Sequence, residues 1–167
     1  MAERWTTAEM PDLAGKVAIV TGANSGTGYH TVAAFAAKGA TAVMACRNLE
    51  KGEAALGRLQ DAVPGAKVAL MQLDLASLAS VQQFAAAFRA KHDRLDILVN
   101  NAGIMMVPYG QTEDGFERQF GTNHLGHFAL TGLLFERLVS TPGSRVVNVS
   151  SNGHRLGSMD FDNLMYE

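Results

Sequence analysis

The sequence predicts an α/β fold in which a parallel sheet is covered by helices on both faces. Three observations predict it. Short apolar runs alternate with segments of helical period along the chain. The first apolar run leads into a glycine-rich turn that opens a helix. The intervals between runs leave room for the crossover helix that a parallel pair needs. A chain of 167 residues, 47% hydrophobic and 18% charged, is enough for one such domain with a sizeable core.

Residues 1–15 read as an N-terminal arm of little periodicity, holding Trp5 and Pro11, and 16–167 as one domain. Val17–Val20 is the first expected strand. Thr21-Gly22-Ala23-Asn24-Ser25-Gly26-Thr27-Gly28 follows it, and then a helix marked by Val32, Phe35 and Ala36. That helix stops at Gly39, a residue that takes a left-handed cap without steric cost. Thr41–Cys46 is the second strand. The second helix runs on Leu56, Leu59 and Val63 behind Asn48 as its cap, and Pro64-Gly65 ends it. Lys67–Gln72 is the third strand, and the third helix runs on Val81, Phe84, Ala85 and Phe88 behind Ser77. Leu95–Asn100 and Arg145–Ser150 are the fourth and fifth strands. Right-handed crossovers then give the doubly wound order 3-2-1-4-5 of a Rossmann sheet.

One long helix is expected between the last two strands, over about Glu113–Val139. One of its stripes reads Phe116, Phe120, Asn123, His127, Leu130, Leu134; a second reads Gly121, Leu125, Phe128, Gly132, Phe135, Val139. A helix apolar on two sides needs covering on two sides. The sheet covers one, and a neighbouring helix covers the other, either from this chain or from a second copy in a homo-oligomer. Asn123 lies in mid-helix on the apolar first stripe, so its side chain needs a buried partner or water.

Composition excludes several function classes. With a net charge of −2, a pI near 6.2 and no basic block, nucleic acid is not an expected partner. The single cysteine, Cys46, excludes an internal disulfide framework and fits a reducing compartment. No apolar run approaches membrane-spanning length and the start of the chain is polar, so the expectation is a cytoplasmic protein without a membrane span. His124 and His127 stand three apart, but no carboxylate or cysteine has matching spacing, so no metal site is expected. Gly-x-Ser-x-Gly is absent, which disfavours acyl-transfer hydrolysis.

The chemistry gathers at the carboxyl ends of the strands. A strand, a glycine-rich turn and a helix form the arrangement that seats a pyrophosphate on a helix N-terminus. Gly22 serves the tight turn, Gly26 the approach of backbone to phosphate, and Gly28 the close packing of helix on strand. An acidic residue about 20 positions further on would bind the ribose hydroxyls of NAD. Arg47, followed by Asn48, stands there instead, 19 positions after Gly28, and a guanidinium suits the 2′-phosphate of NADP. Asp74-Leu75 ends the third strand, where Asp74 either accepts from an adenine amino group or caps the next helix. Asn100-Asn101-Ala102-Gly103 makes either a turn or a cofactor wall, and Ser150-Ser151 closes the fifth strand on the same edge.

Taken together, these segments resemble the short-chain dehydrogenase/reductase family over nearly all of residues 16–158. Thr21-Gly22 with Gly26 and Gly28 looks like that family's Thr-Gly-x-x-x-Gly-x-Gly, and Asn100 to Gly103 like its Asn-Asn-Ala-Gly. Ala45-Cys46-Arg47-Asn48, Asp114-Gly115-Phe116-Glu117 and Asn123-His124-Leu125-Gly126-His127-Phe128 look like the retinol dehydrogenase and protochlorophyllide reductase branch. The resemblance implies an NADP-dependent oxidoreductase passing hydride between nicotinamide and a small lipophilic aldehyde, ketone or alcohol. It implies cofactor contacts from Gly22, Asn24, Ser25, Gly26, Thr27 and Gly28, from Arg47 and Asn48, from Asp74 and Leu75, and from Asn101, Ala102 and Gly103. It implies catalytic roles for Ser151, holding the substrate oxygen, and for Asn123, helping to keep a water near a lysine.

Two departures qualify this. Thr27 stands where the family usually has isoleucine or leucine. The family's Tyr-x-x-x-Lys, which delivers the proton, occurs nowhere: Tyr29 is followed at the right distance by Ala33, Tyr109 by Glu113, and Tyr166 has only Glu167 after it. The expectation is therefore the N-terminal part of a longer enzyme, its sheet incomplete on the C-terminal side and inactive by itself. The alternative is a non-catalytic dinucleotide-binding or dimerisation module.

Overall fold

A computed structural model describes residues 5–155 and 157–166. Its frame alternates strand and helix: β1 (Val17–Thr21), α1 (Gly26–Ala37), β2 (Thr41–Cys46), α2 (Leu49–Ala62), β3 (Val68–Gln72), α3 (Leu78–Lys91) and β4 (Ile97–Asn100). Three helical pieces follow, α4 (Arg118–Phe120), α5 (Gly126–Leu133) and α6 (Phe135–Ser140), and then β5 (Arg145–Asn148). The five strands are parallel and lie in the order β3-β2-β1-β4-β5, the doubly wound arrangement expected.

Register explains why the strand sequences are apolar without alternation. Ile19 lies level with Val43 and Leu98, and these three face the side covered by Val81, Phe84, Phe88 and Leu130. Val20 lies level with Met44 and Val99, and these face Val32, Ala36, Ala55 and Leu59. A sheet buried on both faces needs apolar residues at consecutive positions. The two edge strands are the exceptions: β3 is only half-buried to exposed, and the side chains of β5 are exposed.

The helix ends follow local chemistry. Asn48 Oδ1 accepts from the Lys51 amide at 2.8 Å, and Ser77 Oγ from the Ser80 amide at 3.4 Å. Gly39, beyond the end of α1, has φ +84°. Residues before β1 pack back on that end: the Leu13 amide donates to the Lys38 carbonyl at 2.8 Å, and Leu13 is buried.

The long fourth helix is the main correction. Residues 113–117 are not helical; they form a turn closed by a bridge between Gln111 and Glu117. The helix begins where the Glu117 carboxylate accepts from the Gln119 and Phe120 amides at 2.9 and 2.7 Å. Gly121–Leu125 is then a π turn, and Leu134, with φ −100° and ψ 1°, separates α5 from α6. Leu130, Leu134 and Leu138 enter the core, whereas Phe128, Phe135 and Val139 of the second stripe are exposed. Strand limits shift by up to two residues: β1 extends to Thr21, β3 begins at Val68, β4 at Ile97, and β5 ends at Asn148.

Candidate functional site

The turn after β1 is locked to the turn after β4. Gly22 has φ +66°, and a Cβ added there would lie 2.9 Å from Ala102 Cα. A Cβ on Gly28 would lie 2.6 Å from the Gly22 carbonyl oxygen and from Asn101 Nδ2. Both positions therefore lack room for a side chain. The Gly22 amide donates to the Ala45 carbonyl at 2.8 Å, tying the turn to β2 as well.

A cleft of about 320 Å³ opens along the carboxyl edge of the sheet. Gly22, Asn24 and Ser25 line it from the first turn, Arg47 from the end of β2, and Asp74 and Leu75 from beyond β3. Asn101, Ala102 and Gly103 line it from beyond β4. Ser25 precedes α1 without a side-chain capping bond, so the first amides of that helix have no side-chain cap at the cleft. The other four expected cofactor residues do not line it. Gly26 is exposed at the start of α1, and Gly28 is buried under the turn. Thr27 is exposed, its carbonyl accepting from the Thr31 hydroxyl, and Asn48 Oδ1 is occupied in capping α2. Asp74 does not cap α3, since Ser77 does; its Oδ1 accepts from the Ala76 amide at 2.9 Å in a local turn.

A second cleft, of about 750 Å³, shares Asn101 to Ile104 with the first. Its far walls are Met105, Gln119, Asn123, His124 and Phe128 on one side, and Asn148, Ser150, Ser151 and His154 on the other. Ser151 and Asn123 thus meet on one cavity. Ser151 Oγ accepts from the Gly153 amide at 3.1 Å, and its carbonyl accepts from His154 Nδ1. Asn123 corrects an expectation, for it is exposed rather than buried. Its Nδ2 donates to the Ile104 carbonyl and its Oδ1 accepts from the Ile104 amide, both at 2.8 Å. The rings of Phe120, His124 and Phe128 stack in series beside it, with centroids 5.4 and 6.4 Å apart.

Between the clefts lies a polar knot. Thr21 Oγ1 accepts from the Asn101 and Ala102 amides, both at 2.9 Å, and stands 2.8 Å from His127 Nε2. Asn101 Nδ2 donates to the Thr21 carbonyl at 2.8 Å. Burial pushes the His127 imidazole below its ordinary pKa; the hydrogen bond to the Asn123 carbonyl opposes this in part, and neighbouring His124 adds to it. Asn100 Nδ2 donates to Asn148 Oδ1 at 2.8 Å and to Thr131 Oγ1 at 3.1 Å, tying β4 to β5 and α5.

Two buried oxygens are left over, one on each cleft. Thr122 Oγ1 and Asn100 Oδ1 have no hydrogen-bond partner among the described residues. Thr122 lines the first cleft and Asn100 the second. Sequence reasoning missed Thr122, because the π turn shifts the phase of the helix and no period points to it. It also missed Ile104, which follows the Asn-Asn-Ala-Gly turn and was open to notice on that ground. Among the described residues, no group of three His, Cys, Asp or Glu side chains is placed to hold a metal ion.

Residues 16–162 match the family model described as short chain dehydrogenase. The chain is 50% identical over 155 residues to retinol dehydrogenase 11 from Mus musculus, covering 93% of this chain and 49% of that protein. A crystal structure of an uncharacterised protein from Mycobacterium paratuberculosis superposes with a TM-score of 0.83 at 45% identity, covering 97% of this chain and 56% of that one. A short chain dehydrogenase from Shigella flexneri, solved with NADP, gives 0.75 at 26% identity over 88% of this chain and 64% of that one. The chain spans about half the length of the curated relatives it matches.

Proposed function

The chain belongs to the short chain dehydrogenase family, and we propose that it provides the cofactor site of an NADP-dependent oxidoreductase acting on a small lipophilic aldehyde, ketone or alcohol. The activity is proposed for the whole protein, since the relatives are about twice as long. The observation that carries the cofactor is Arg47, an exposed cation on the rim of the cleft built on Gly22. The site suits a dinucleotide on its own geometry. Neighbouring atoms fill the space where side chains would stand at Gly22 and Gly28, and Thr122, whose buried hydroxyl has no partner among the described residues, lines the cleft.

Bound there, the nicotinamide would donate or accept hydride. Arg47 would hold the 2′-phosphate, and the uncapped amides at the start of α1 would meet the pyrophosphate. Asn101 to Gly103 would separate the cofactor from the second cleft. In that cleft Ser151 would hold the substrate oxygen, while Asn123 holds the Ile104 segment in place. Ile104, Met105, Phe128 and Val149 give the cleft an apolar lining, which supports a lipophilic substrate. The name of the mouse relative, retinol dehydrogenase 11, supports the same class. The proton-delivering Tyr-x-x-x-Lys of the resemblance is not among these 167 residues.

Dissociation constants for NADPH and NADH, measured on the chain and on Arg47→Asp, test this. NADPH is expected to bind the native chain more tightly, and Arg47→Asp to cost about tenfold in NADPH affinity with little change for NADH. An unchanged ratio removes Arg47 from the role, and binding of neither dinucleotide overturns the proposal.

A further inference from the structure

His127 stands on the first turn of α5, 6% exposed, with both ring nitrogens engaged. Nδ1 lies 2.8 Å from the Asn123 carbonyl oxygen, and a carbonyl only accepts, so Nδ1 carries the hydrogen. In the neutral ring Nε2 is then a lone pair, and the Thr21 hydroxyl 2.8 Å away must donate to it. That leaves the two lone pairs of Thr21 Oγ1 for the Asn101 and Ala102 amides, which it accepts at 2.9 Å each. The hydroxyl is saturated: one hydrogen given, two received.

A protonated ring upsets this count. Nε2 would become a donor, and Thr21 Oγ1 would face three N–H groups with two lone pairs. Its own hydrogen would have to turn to the Val99 carbonyl, 3.4 Å away, and one amide of the turn would lose its acceptor. We propose that His127 is a positioning residue for the dinucleotide: as a neutral imidazole it orients the Thr21 hydroxyl, which holds the Asn101–Ala102 turn in the shape that walls the cofactor cleft. Asn101 and Ala102 line both clefts, and His127 also engages the backbone of Asn123, so the same ring braces both cavities.

A pH dependence follows. The surroundings of His127 carry little charge to offset a proton. The strands beside it, Val17–Thr21 and Ile97–Asn100, have no titratable side chain, and neither does the segment 101–104. In the π turn that leads into its helix the titratable neighbour is His124. On α3, Arg89 donates to the Leu133 carbonyl at the far end of α5, and Lys91 is in the last turn. Asp74, next to the Leu75 on which Gly126 packs, turns Oδ1 to the Ala76 amide. Burial keeps the ring neutral at neutral pH, and the brace is lost in acid.

The proposal rests on the NADP reading of the first cleft, so the test has one arm with the cofactor and one without. Without it, imidazole nitrogen shifts are expected to show the Nδ1–H tautomer at pH 7.5. Protection factors at the Asn101 and Ala102 amides, the exchange rates set against the intrinsic rate at each pH, should fall along the protonation curve of His127. An Nε2–H tautomer, or protection factors at both amides unmoved through that titration, overturns the proposal even if NADPH binds. With the cofactor, the NADPH dissociation constant should rise about fivefold more from pH 7.5 to 5.5 in the native chain than in His127→Phe. The 2′-phosphate titrates in both, so the difference isolates the ring. Thr21→Ser, which keeps the hydroxyl, should retain the native profile, and Thr21→Val should lose it. Equal pH profiles for the native chain and His127→Phe, both folded, overturn the proposal. If NADPH binds neither chain at any pH, the cofactor reading fails, and the tautomer and exchange data still decide the role of His127.

Discussion

Asn123 grips the main chain of Ile104 from both sides, donating to its carbonyl and accepting from its amide at 2.8 Å each. A side-chain amide can do this because it carries an acceptor oxygen beside an NH2 donor, which reach the N–H and C=O that a single residue contributes to two successive peptide units. The segment that divides the two clefts is therefore held from the helix.

Removing that grip should loosen the divider. Asn123→Ala is expected to speed exchange at the Ile104 amide on the order of tenfold, corresponding to about 1 kcal/mol for the lost bond. Asn123→Asp keeps the acceptor and should protect the amide better than alanine. Equal exchange in all three chains would count against the grip.

Thr122 offers a way to separate fold from binding. Thr122→Val removes a buried hydroxyl that has no partner among the described residues and keeps its shape. The thermal midpoint should hold or rise, by the equivalent of about 1 kcal/mol at most. NADPH affinity should fall about fivefold if the cofactor is that hydroxyl's partner. A fall in midpoint would mean that the hydroxyl is satisfied within the protein.

Gly126 lets α5 pack directly on Leu75, in the segment beyond β3. A Cβ there would lie 2.4 Å from the Leu75 carbonyl oxygen and 2.9 Å from Leu75 Cβ. Gly126→Ala must push α5 outward and should cost about 2 kcal/mol, visible as a midpoint lower by roughly 5 °C. Gly57→Ala, on α2 with open space around it, is the control and should be neutral or stabilising.

Asp96 predicts the acid limb of stability. Burial pushes its carboxyl up, but hydrogen bonds from Arg94, the Val17 amide and Lys16 outweigh this and hold it at about 2. The folded value is below the ordinary 3.8, so as pH falls the unfolded chain takes the proton first. The stabilisation is complete above about 3.8 and disappears between there and about 2. Asp96→Asn should cost about 3 kcal/mol at pH 7 and flatten denaturant midpoints over that acid window. His127 acts oppositely in charge but in the same sense: its folded pKa is lowered, so stability falls as pH drops through its ordinary 6.5.

Much of this was legible in the sequence, for identifiable reasons. Asn48 and Ser77 cap the helices they precede, and Gly39 takes the left-handed conformation, because these features depend on neighbours in the chain. The sheet order follows from chirality, which needs no side-chain detail. The fourth helix was misread because its start depends on the Glu117 carboxylate turning to its own amides, and its phase on a π turn that periodicity cannot register. Asn123 was expected in the core by that same phase error. Asp96, which joins Lys16, Val17 and Arg94, left no mark on any pattern, since its partners lie up to 80 residues away.

The π turn at Gly121–Leu125 also bears on how this protein tolerates changes in length. Such a turn holds one residue more than the α turn it replaces. Thr122 and Asn123 lie within that turn, while Leu130, Leu134 and Leu138 beyond it anchor the helix to the core. Deleting one residue within Gly121–Leu125 would turn it into an ordinary α turn and leave the anchor in place. The register of the cleft wall and the register of the core are set independently, and selection can edit one while leaving the other alone.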